Sequence, residues 1–409
     1  MKSPIQAGVL LLTVVAWLVP MPAAAPPPFT GPWEVSRLLR VPPTTWGGSS
    51  GLVQQVYYAG EPLAGQPTRV FAWYGRPASG DGPFPAMLLV HGGGGKAFAE
   101  WAEHWAARGY VSLAMDLSGN GPEGRLADGG PDQSDDVKFR DFSDVEVLDM
   151  WTYHAVAAVL RGHGLLAGRP EVDPRRIGIT GISWGGYLTC IVAGVDPALA
   201  VAVPVYGCGF LDQNSCWLES RFLPMTADRR RRWVSWFDPS SYLAGVRCPI
   251  LFLNGSNDFA YPMDSYWKSF ALVPGEKTMS MVIDLPHGHI WSFEEVDAFA
   301  DEALRGGPPS PRLGPVEIDG REISAAYRSE SGGLREARLH YTTDLGPWQQ
   351  RRWQSSPAMI GRRRVTAELP LARPVTAFLG IQDARGLRVS TVPRLLTPLL
   401  PPVGSDLYN

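Results

Sequence analysis

The sequence predicts an α/β protein: a mostly parallel sheet covered by helices on both faces, followed by a small C-terminal β-sandwich. Three observations predict it. Between residues 87 and 305, short apolar strand patterns alternate with helix-period runs, as expected of parallel strands buried on both sides. Beyond Gly306-Gly307-Pro308-Pro309-Ser310-Pro311 the helical period disappears and only short strands separated by turns remain. Between these regions a Gly-x-Ser-x-Gly pattern stands where an apolar strand gives way to a helix.

The first residues carry Lys2, an apolar run from Ala7 to Val19 and the small residues Ala23-Ala24-Ala25. That pattern is an export signal over residues 1–25, short and proline-bounded for a membrane span, with an uncleaved anchor as the alternative. Residues 26 to about 50 read as an exposed lead-in to a domain spanning 26–305. Leu52 to Tyr58 and Thr68 to Tyr74 follow as strands, with Gly and Pro turns between them.

Met87-Leu88-Leu89-Val90 is a buried strand ending in His91-Gly92-Gly93-Gly94-Gly95. Backbone N–H groups of Gly93 and Gly94 are candidates for an oxyanion site, because glycine leaves their approach unobstructed. Each such donor contributes about 10²–10³ in rate. A phosphate-cradling loop is excluded by the missing Lys-Ser/Thr ending. Phe98, Trp101, Ala102 and Trp105 then share one helical face, and His104 is placed at its exposed or capping side.

Val111 to Met115 is the next buried strand, and the long polar stretch from Ser118 to Asp141 leaves its C-terminal end, where ligand crevices form in open α/β sheets. Ser143 with Glu146 makes a capping box that starts a helix bearing Val147, Trp151, His154, Ala155 and Ala158 on one face. His154 there reads as a satisfied core residue.

Ile177-Gly178-Ile179-Thr180-Gly181-Ile182-Ser183-Trp184-Gly185-Gly186-Tyr187 is the stretch around which the chemistry is organised. Ser183 on so sharp a strand-to-helix turn is a candidate nucleophile. Gly181, Gly185 and Gly186 supply the room this turn needs, and the Trp184 N–H at the head of the next helix is a second oxyanion donor. Ala200 to Val205 is a further strand. Residues 206–245 then form an insertion carrying Trp217, Phe222, Trp233, Trp236, Phe237 and Tyr242, read as packing or as a sugar or aryl platform. The run Arg229-Arg230-Arg231-Arg232 reads as the solvated face of a short helix.

Pro249 to Asn254 is another buried strand, and the polar loop after it offers one carboxylate, Asp258, to orient a histidine; Asp264 is a nearby substitute. A strand from Met279 to Ile283 precedes Pro286-His287-Gly288-His289, whose histidines supply the general base, His287 ahead of His289. Metal ligation by this pair lacks an accompanying Cys or carboxylate cluster. Tyr261 and Trp291 flank the acid and the base as candidate substrate contacts, and Glu294 to Leu304 is a closing helix. A linker over 306–314 leads to strand patterns over 315–400, including Glu322–Tyr327, Glu336–Thr342, Gln349–Ser355, Arg363–Leu369, Val375–Ile381 and Leu387–Ser390. They suggest a fibronectin III or immunoglobulin-like sandwich that binds glycan or docks on the body.

The order of oxyanion loop, Ser183, Asp258 and His287 is that of the α/β-hydrolases. The chain resembles their secreted dienelactone-hydrolase and acetylxylan-esterase-like branch, itself similar to the catalytic domain of prolyl oligopeptidases. His91 to Gly95, Ala114 to Gly119, Val172 to Gly178, Gly181 to Tyr187, Asn257 to Pro262 and Pro286 to His289 carry the likeness, over roughly residues 50–305. The resemblance implies a Ser-His-Asp esterase working through an acyl-enzyme, with deacetylation of carbohydrate among its outcomes and no cofactor or metal.

A prolyl-oligopeptidase-like peptidase is the enzymatic alternative, although 26–86 is too short to hold the gating propeller of those enzymes. A catalytically silent adhesion or glycan-binding protein is the alternative from another class. The expected partner is a small-molecule or carbohydrate ester, and the net charge of −3 gives no reason to expect nucleic acid. Of the four cysteines, Cys208 and Cys216 lie close enough in sequence to pair in an oxidising compartment, and Cys190 reads as a buried helix residue. The acyl and alcohol groups and the oligomeric state stay open.

Overall fold

The computed structural model describes residues 29–290, 292–330 and 333–397, so the export signal and Trp291 lie outside the described residues. Within the predicted lead-in the chain forms a short helix, α1 (Val35–Leu38), and an edge strand, β1 (Thr44–Ser50). This segment is docked rather than free. Trp33 is buried and donates its indole N–H to the Tyr153 carbonyl at 3.0 Å.

The body continues through β2 (Val53–Ala59), β3 (Arg69–Gly75), β4 (Phe84–Val90), α2 (Ala99–Ala107) and β5 (Val111–Met115). The polar loop that follows holds a two-residue hairpin, β6 (Asn120–Gly121) and β7 (Gly124–Arg125), and one helical turn, α3 (Asp135–Lys138). The Ser143–Glu146 capping box forms, with the Ser143 N–H bonded to Glu146 Oε2 at 2.9 Å, but it caps only a 3₁₀ turn. Met150 is extended (ψ 143°), and the long helix α4 (Trp151–Ala167) begins after it, where the Trp151 indole is anchored on the Leu117 carbonyl.

Next come β8 (Val172–Ile182), α5 (Trp184–Val195), β9 (Val201–Val205), α6 (Ala227–Phe237), β10 (Ile250–Gly255), α7 (Met263–Leu272), β11 (Lys277–Val282) and α8 (Glu294–Arg305). The strand order is β1-β2-β3-β5-β4-β8-β9-β10-β11, with β5, β4, β8, β9, β10 and β11 mutually parallel and β1 to β3 antiparallel at one side. Strands β4, β5, β9 and β10 are almost entirely buried, as their near-continuous apolar sequences require.

The C-terminal strands are β12 (Arg312–Asp319), β13 (Glu322–Arg328), β14 (Leu334–Thr342), β15 (Gln354–Pro357), β16 (Met359–Ile360), β17 (Arg364–Glu368), β18 (Val375–Asp383), β19 (Arg388–Ser390) and β20 (Arg394–Leu396). The first of them begins at Arg312, inside the expected linker, and Arg312 is ion-paired to Glu276 and Glu302 of the body. Residues 349–353, expected to be strand, form a 3₁₀ turn (Trp348–Gln350) and a bend, because Trp348 packs edge-on against Trp267 at 4.9 Å.

Strands β12, β13, β16 and β17 make a small antiparallel sheet. It faces β14, β18 and β19 across a second core of Ile323, Leu339, Val365, Leu379 and Ile381. The facing strands also extend the main sheet, since β19 pairs with β11 at Met279↔Ser390.

Two buried ionisable groups set the acid tolerance of this fold. Burial alone would raise the Glu61 carboxyl, but hydrogen bonds from Arg37, Arg161 and Tyr153 outweigh it and hold the group at about 2. Burial lowers His154 to about 4, and its Nε2 is buried without a partner, so this core histidine is not fully satisfied.

In both cases the unfolded chain binds the proton more readily, so stability is lost on acidification: through His154 as pH falls from 6.5 toward 4, and through Glu61 below 4.5. Thermal unfolding followed from pH 7 to pH 3 is expected to show a Tm that declines in both intervals. The lower decline is expected to shrink in Glu61→Gln. A Tm as high at pH 4 as at pH 7 would contradict the linkage.

Candidate active site

The C-terminal ends of four adjacent parallel strands meet at one rim: β8 ends at Ile182 before Ser183, β9 before Tyr206, β10 before the Asp258 loop and β11 before the His287 loop. Ser183 sits at φ 59°, ψ −119°, a region that costs a non-glycine residue about 1–3 kcal/mol. Two backbone bonds hold it there, from Ser183 N–H to the Val205 carbonyl and from Tyr187 N–H to the Ser183 carbonyl, both 2.9 Å. The flanking glycines are sterically required. A Cβ on Gly185 would collide with the Val90 carbonyl, and one on Gly186 with the Val205 carbonyl.

The Gly92–Gly95 segment is a turn closed by a 3.1 Å bond from Gly95 N–H to the Gly92 carbonyl, with Gly94 at φ +68°. It lies against the serine: a Cβ on Gly92 would stand 2.9 Å from Ser183 Cβ, and one on Gly93 2.9 Å from Trp184 Cδ1. Gly92 and Gly93 are therefore packed against Ser183 and the head of α5. His91 anchors the turn from below. Its Nδ1 bonds the Gly92 carbonyl at 2.8 Å and its Nε2 accepts the Leu117 N–H at 2.9 Å, which places the proton on Nδ1. Burial lowers its pKa, consistent with a neutral ring.

Asp258 is buried, and each of its oxygens is engaged. Oδ1 accepts the Ala260 and Tyr261 N–H groups at 2.9 and 2.7 Å, and Oδ2 lies 2.7 Å from His287 Nδ1. Asp264 is instead bonded to Asn214 at 2.8 Å, on α7. His289 lies across the glycine turn, its Nε2 within 2.9 Å of where a Gly95 Cβ would stand and its ring 5.2 Å from Phe98. The carboxylate thus reaches His287 and not its neighbour.

Three aromatic rings surround the His287 imidazole: Tyr206 stacked at 4.7 Å, Phe259 tilted at 4.9 Å and Tyr261 parallel at 6.5 Å. Tyr206 takes a left-handed backbone (φ 55°) and is fully buried, whereas Phe259 is exposed. Tyr261 is wholly buried behind the imidazole, packed on Trp217, so it is not placed to touch a substrate.

The signal that could have found Tyr206 is its position one residue past a buried strand. For Phe259 it is an apolar side chain beside the acid. The Trp184 ring closes the site on another side, packed by Trp217 at 4.6 Å and Trp151 at 5.6 Å, with Lys138 Nζ 4.5 Å above it. Burial lowers the pKa of Lys138, which pairs with Asp135 at 3.0 Å.

The aromatics of the 206–245 insertion are largely core. Trp217, Phe222, Trp233, Phe237 and Tyr242 are buried, and Phe139 from the polar loop stacks on Trp233 at 5.1 Å. Arg229 and Arg232 reach the carbonyls of Phe139 and Phe142, so part of the arginine run clamps that loop to α6. Cys208 and Cys216 are unpaired, and Cys208 is fully buried. Among the described residues, no cluster of three or more His, Cys, Asp or Glu has the arrangement to hold a metal ion, and no helix is long and apolar enough to cross a membrane.

The strand order, the strained serine at the head of α5 and the Asp258 and His287 loops on successive strands define the α/β-hydrolase fold. Comparison with known proteins narrows the class. Residues 50–213 match the model of the acetyl xylan esterase (AXE1) family, and the chain is similar to acetyl esterases and putative carboxymethylenebutenolidases.

Acetyl esterase Axe7A of Xylanibacter ruminicola is 23% identical over 218 residues, covering 48% of this chain and 47% of that protein. A putative carboxymethylenebutenolidase of Escherichia coli (strain K12) is 27% identical over 201 residues, 47% of this chain and 62% of that protein. The chain therefore spans about half to three-fifths of the length of these curated relatives. The fold is shared with the acetyl xylan esterase from Paenibacillus sp. R4 (TM-score 0.54, 19% identity, 63% of this chain and 88% of that one). It is also shared with acetyl xylan esterase 1 from Thermoanaerobacterium sp. JW/SL YS485 (TM-score 0.54, 19% identity, 66% and 92%).

Proposed function

We propose that the protein is an exported serine hydrolase of carboxylic esters, with Ser183 as nucleophile, His287 as general base and Asp258 as the carboxylate that orients it. The observation that carries this reading is the 2.7 Å Asp258–His287 contact on the strand rim that also bears the strained Ser183. His287 takes the hydroxyl proton as Ser183 attacks the ester carbonyl, and the N–H groups of Trp184 and of the Gly93–Gly94 turn hold the oxyanion. The alcohol leaves with the proton returned from His287, and water activated by the same ring releases the acid.

The names of the relatives support a short acyl group, acetate foremost, on a carbohydrate alcohol. Export is supported by Lys2, the apolar run after it and Ala23-Ala24-Ala25. A fluorophosphonate probe is expected to label the wild-type protein at Ser183. In a panel of p-nitrophenyl acetate, acetylated xylan and a proline-containing chromogenic peptide, the acetyl esters are expected to be cleaved and the peptide spared. Peptide cleavage without ester cleavage would replace the esterase reading by a peptidase, and an unlabelled protein that turns over nothing would replace it by a binding protein.

A further inference from the structure

The sandwich touches the body at a place of consequence for the site. The bend after β14 carries the carbonyls of Gln349 and Arg351 to the side chain of Asn257, the residue before Asp258, whose Nδ2 donates to them at 3.3 and 2.7 Å. Asn257 Oδ1 in turn accepts the Ser256 hydroxyl at 2.6 Å, and Ser256 Oγ accepts the Asp284 N–H at 3.1 Å. Asp284 takes a left-handed backbone (φ 52°) where the chain turns from β11 into the His287 loop. One continuous path of hydrogen bonds thus runs from the sandwich into the acid loop and on into the base loop.

The sandwich end of this path is rigidly held. Arg351 is buried, lies 3.3 Å over the Trp348 ring and bonds the Gly346 carbonyl at 3.0 Å. Trp348 packs on Trp267 of α7, and Gln349 Nε2 reaches Asn214 Oδ1 at 3.4 Å. The bend is therefore fastened to α7, to the 206–245 insertion and to the acid loop at once.

We propose that the C-terminal sandwich is a positioning element of the active site, acting through the Gln349 and Arg351 carbonyls on Asn257, and through Asn257 and Ser256 on the Asp258 and His287 loops. This rests on the reading of Asp258 and His287 as acid and base. Neither Asn257 nor Ser256 touches the reacting atoms. Their effect is to keep the carboxylate and the imidazole in register, and outer partners of this kind contribute about 10–100-fold where they have been removed from metal-ligand histidines.

Asn257→Ala breaks the path at its centre. Trp348→Leu loosens the bend without altering residues 256–258 and keeps the test available if the first variant folds poorly. Both are compared with wild type for the kcat and KM of p-nitrophenyl acetate hydrolysis, fluorophosphonate labelling rate and Tm. The expected result is a fall in kcat/KM of about 10–100-fold for Asn257→Ala and several-fold for Trp348→Leu, with KM little changed and labelling slowed in parallel.

The fall is expected in kcat of the folded protein, with KM unmoved and labelling slowed in step, whereas a loss of stability alone lowers the amount of active protein and leaves the labelling rate of the folded fraction unchanged. Folded variants with wild-type rates of hydrolysis and labelling would overturn the proposal. A wild-type protein that neither labels nor hydrolyses esters would instead overturn the hydrolase reading on which it rests.

Discussion

Ser183→Ala is expected to lower hydrolysis of p-nitrophenyl acetate by about 10⁴-fold or more and to abolish fluorophosphonate labelling, while the Tm stays within a few degrees of wild type. The two effects separate because the hydroxyl and the backbone do different work. The bonds that hold the turn run from Ser183 N–H to Val205 and from Tyr187 N–H to the Ser183 carbonyl, and alanine keeps both. Alanine also tolerates φ 59° no better and no worse than serine, so the strain is unchanged. Undiminished turnover in this variant would remove the nucleophile from the mechanism.

Asp258→Asn is expected to cost about 10⁴-fold in kcat with little change in fold, because the surroundings dictate which way the new amide faces. The Oδ1 position is claimed by the N–H groups of Ala260 and Tyr261, so the amide oxygen stays there and the NH₂ group is turned toward His287. An NH₂ facing Nδ1 requires an unprotonated Nδ1 and moves the ring proton to Nε2. The nitrogen that must accept the serine proton is then occupied. Asp264→Asn is the control. Its carboxylate faces Asn214 and Lys268, and its loss is expected to leave activity within a few-fold of wild type. Steady-state rates of the two variants on one ester decide between the carboxylates, and a larger loss in Asp264→Asn would reverse the assignment.

Much of the body was legible because its signals are local. An apolar strand that stops at glycine and histidine, at Gly-x-Ser-x-Gly, or at a lone carboxylate in a polar loop announces the rim of a parallel sheet, and the strand order places those stops side by side. What escaped was set by distant contacts. The capping box at Ser143 formed as its residues dictate, yet the long helix waited for Trp151 and its anchor at Leu117. Residues 349–353 have strand character, but the stacking of Trp348 on Trp267 bends them toward the body. The lead-in became an edge strand because Val53 to Ala59 offers it a partner, and the imidazole acquired its aromatic surround because β9 and β10 end level with each other. None of these pairings leaves a mark in the segment that undergoes it.

The join between β11 and β19 has one more consequence. An open parallel sheet ordinarily ends in a strand whose outward N–H and C=O groups invite another chain to add on, and a body that stopped at β11 would present that invitation. Here the place is taken from within, at Met279 and at the Met281 N–H bonded to Ser390 Oγ. The outermost strand becomes β15, four residues long and closed by Pro357, a poor template for recruitment. On this side of the sheet the appended module therefore also shields the body against edge-to-edge self-association.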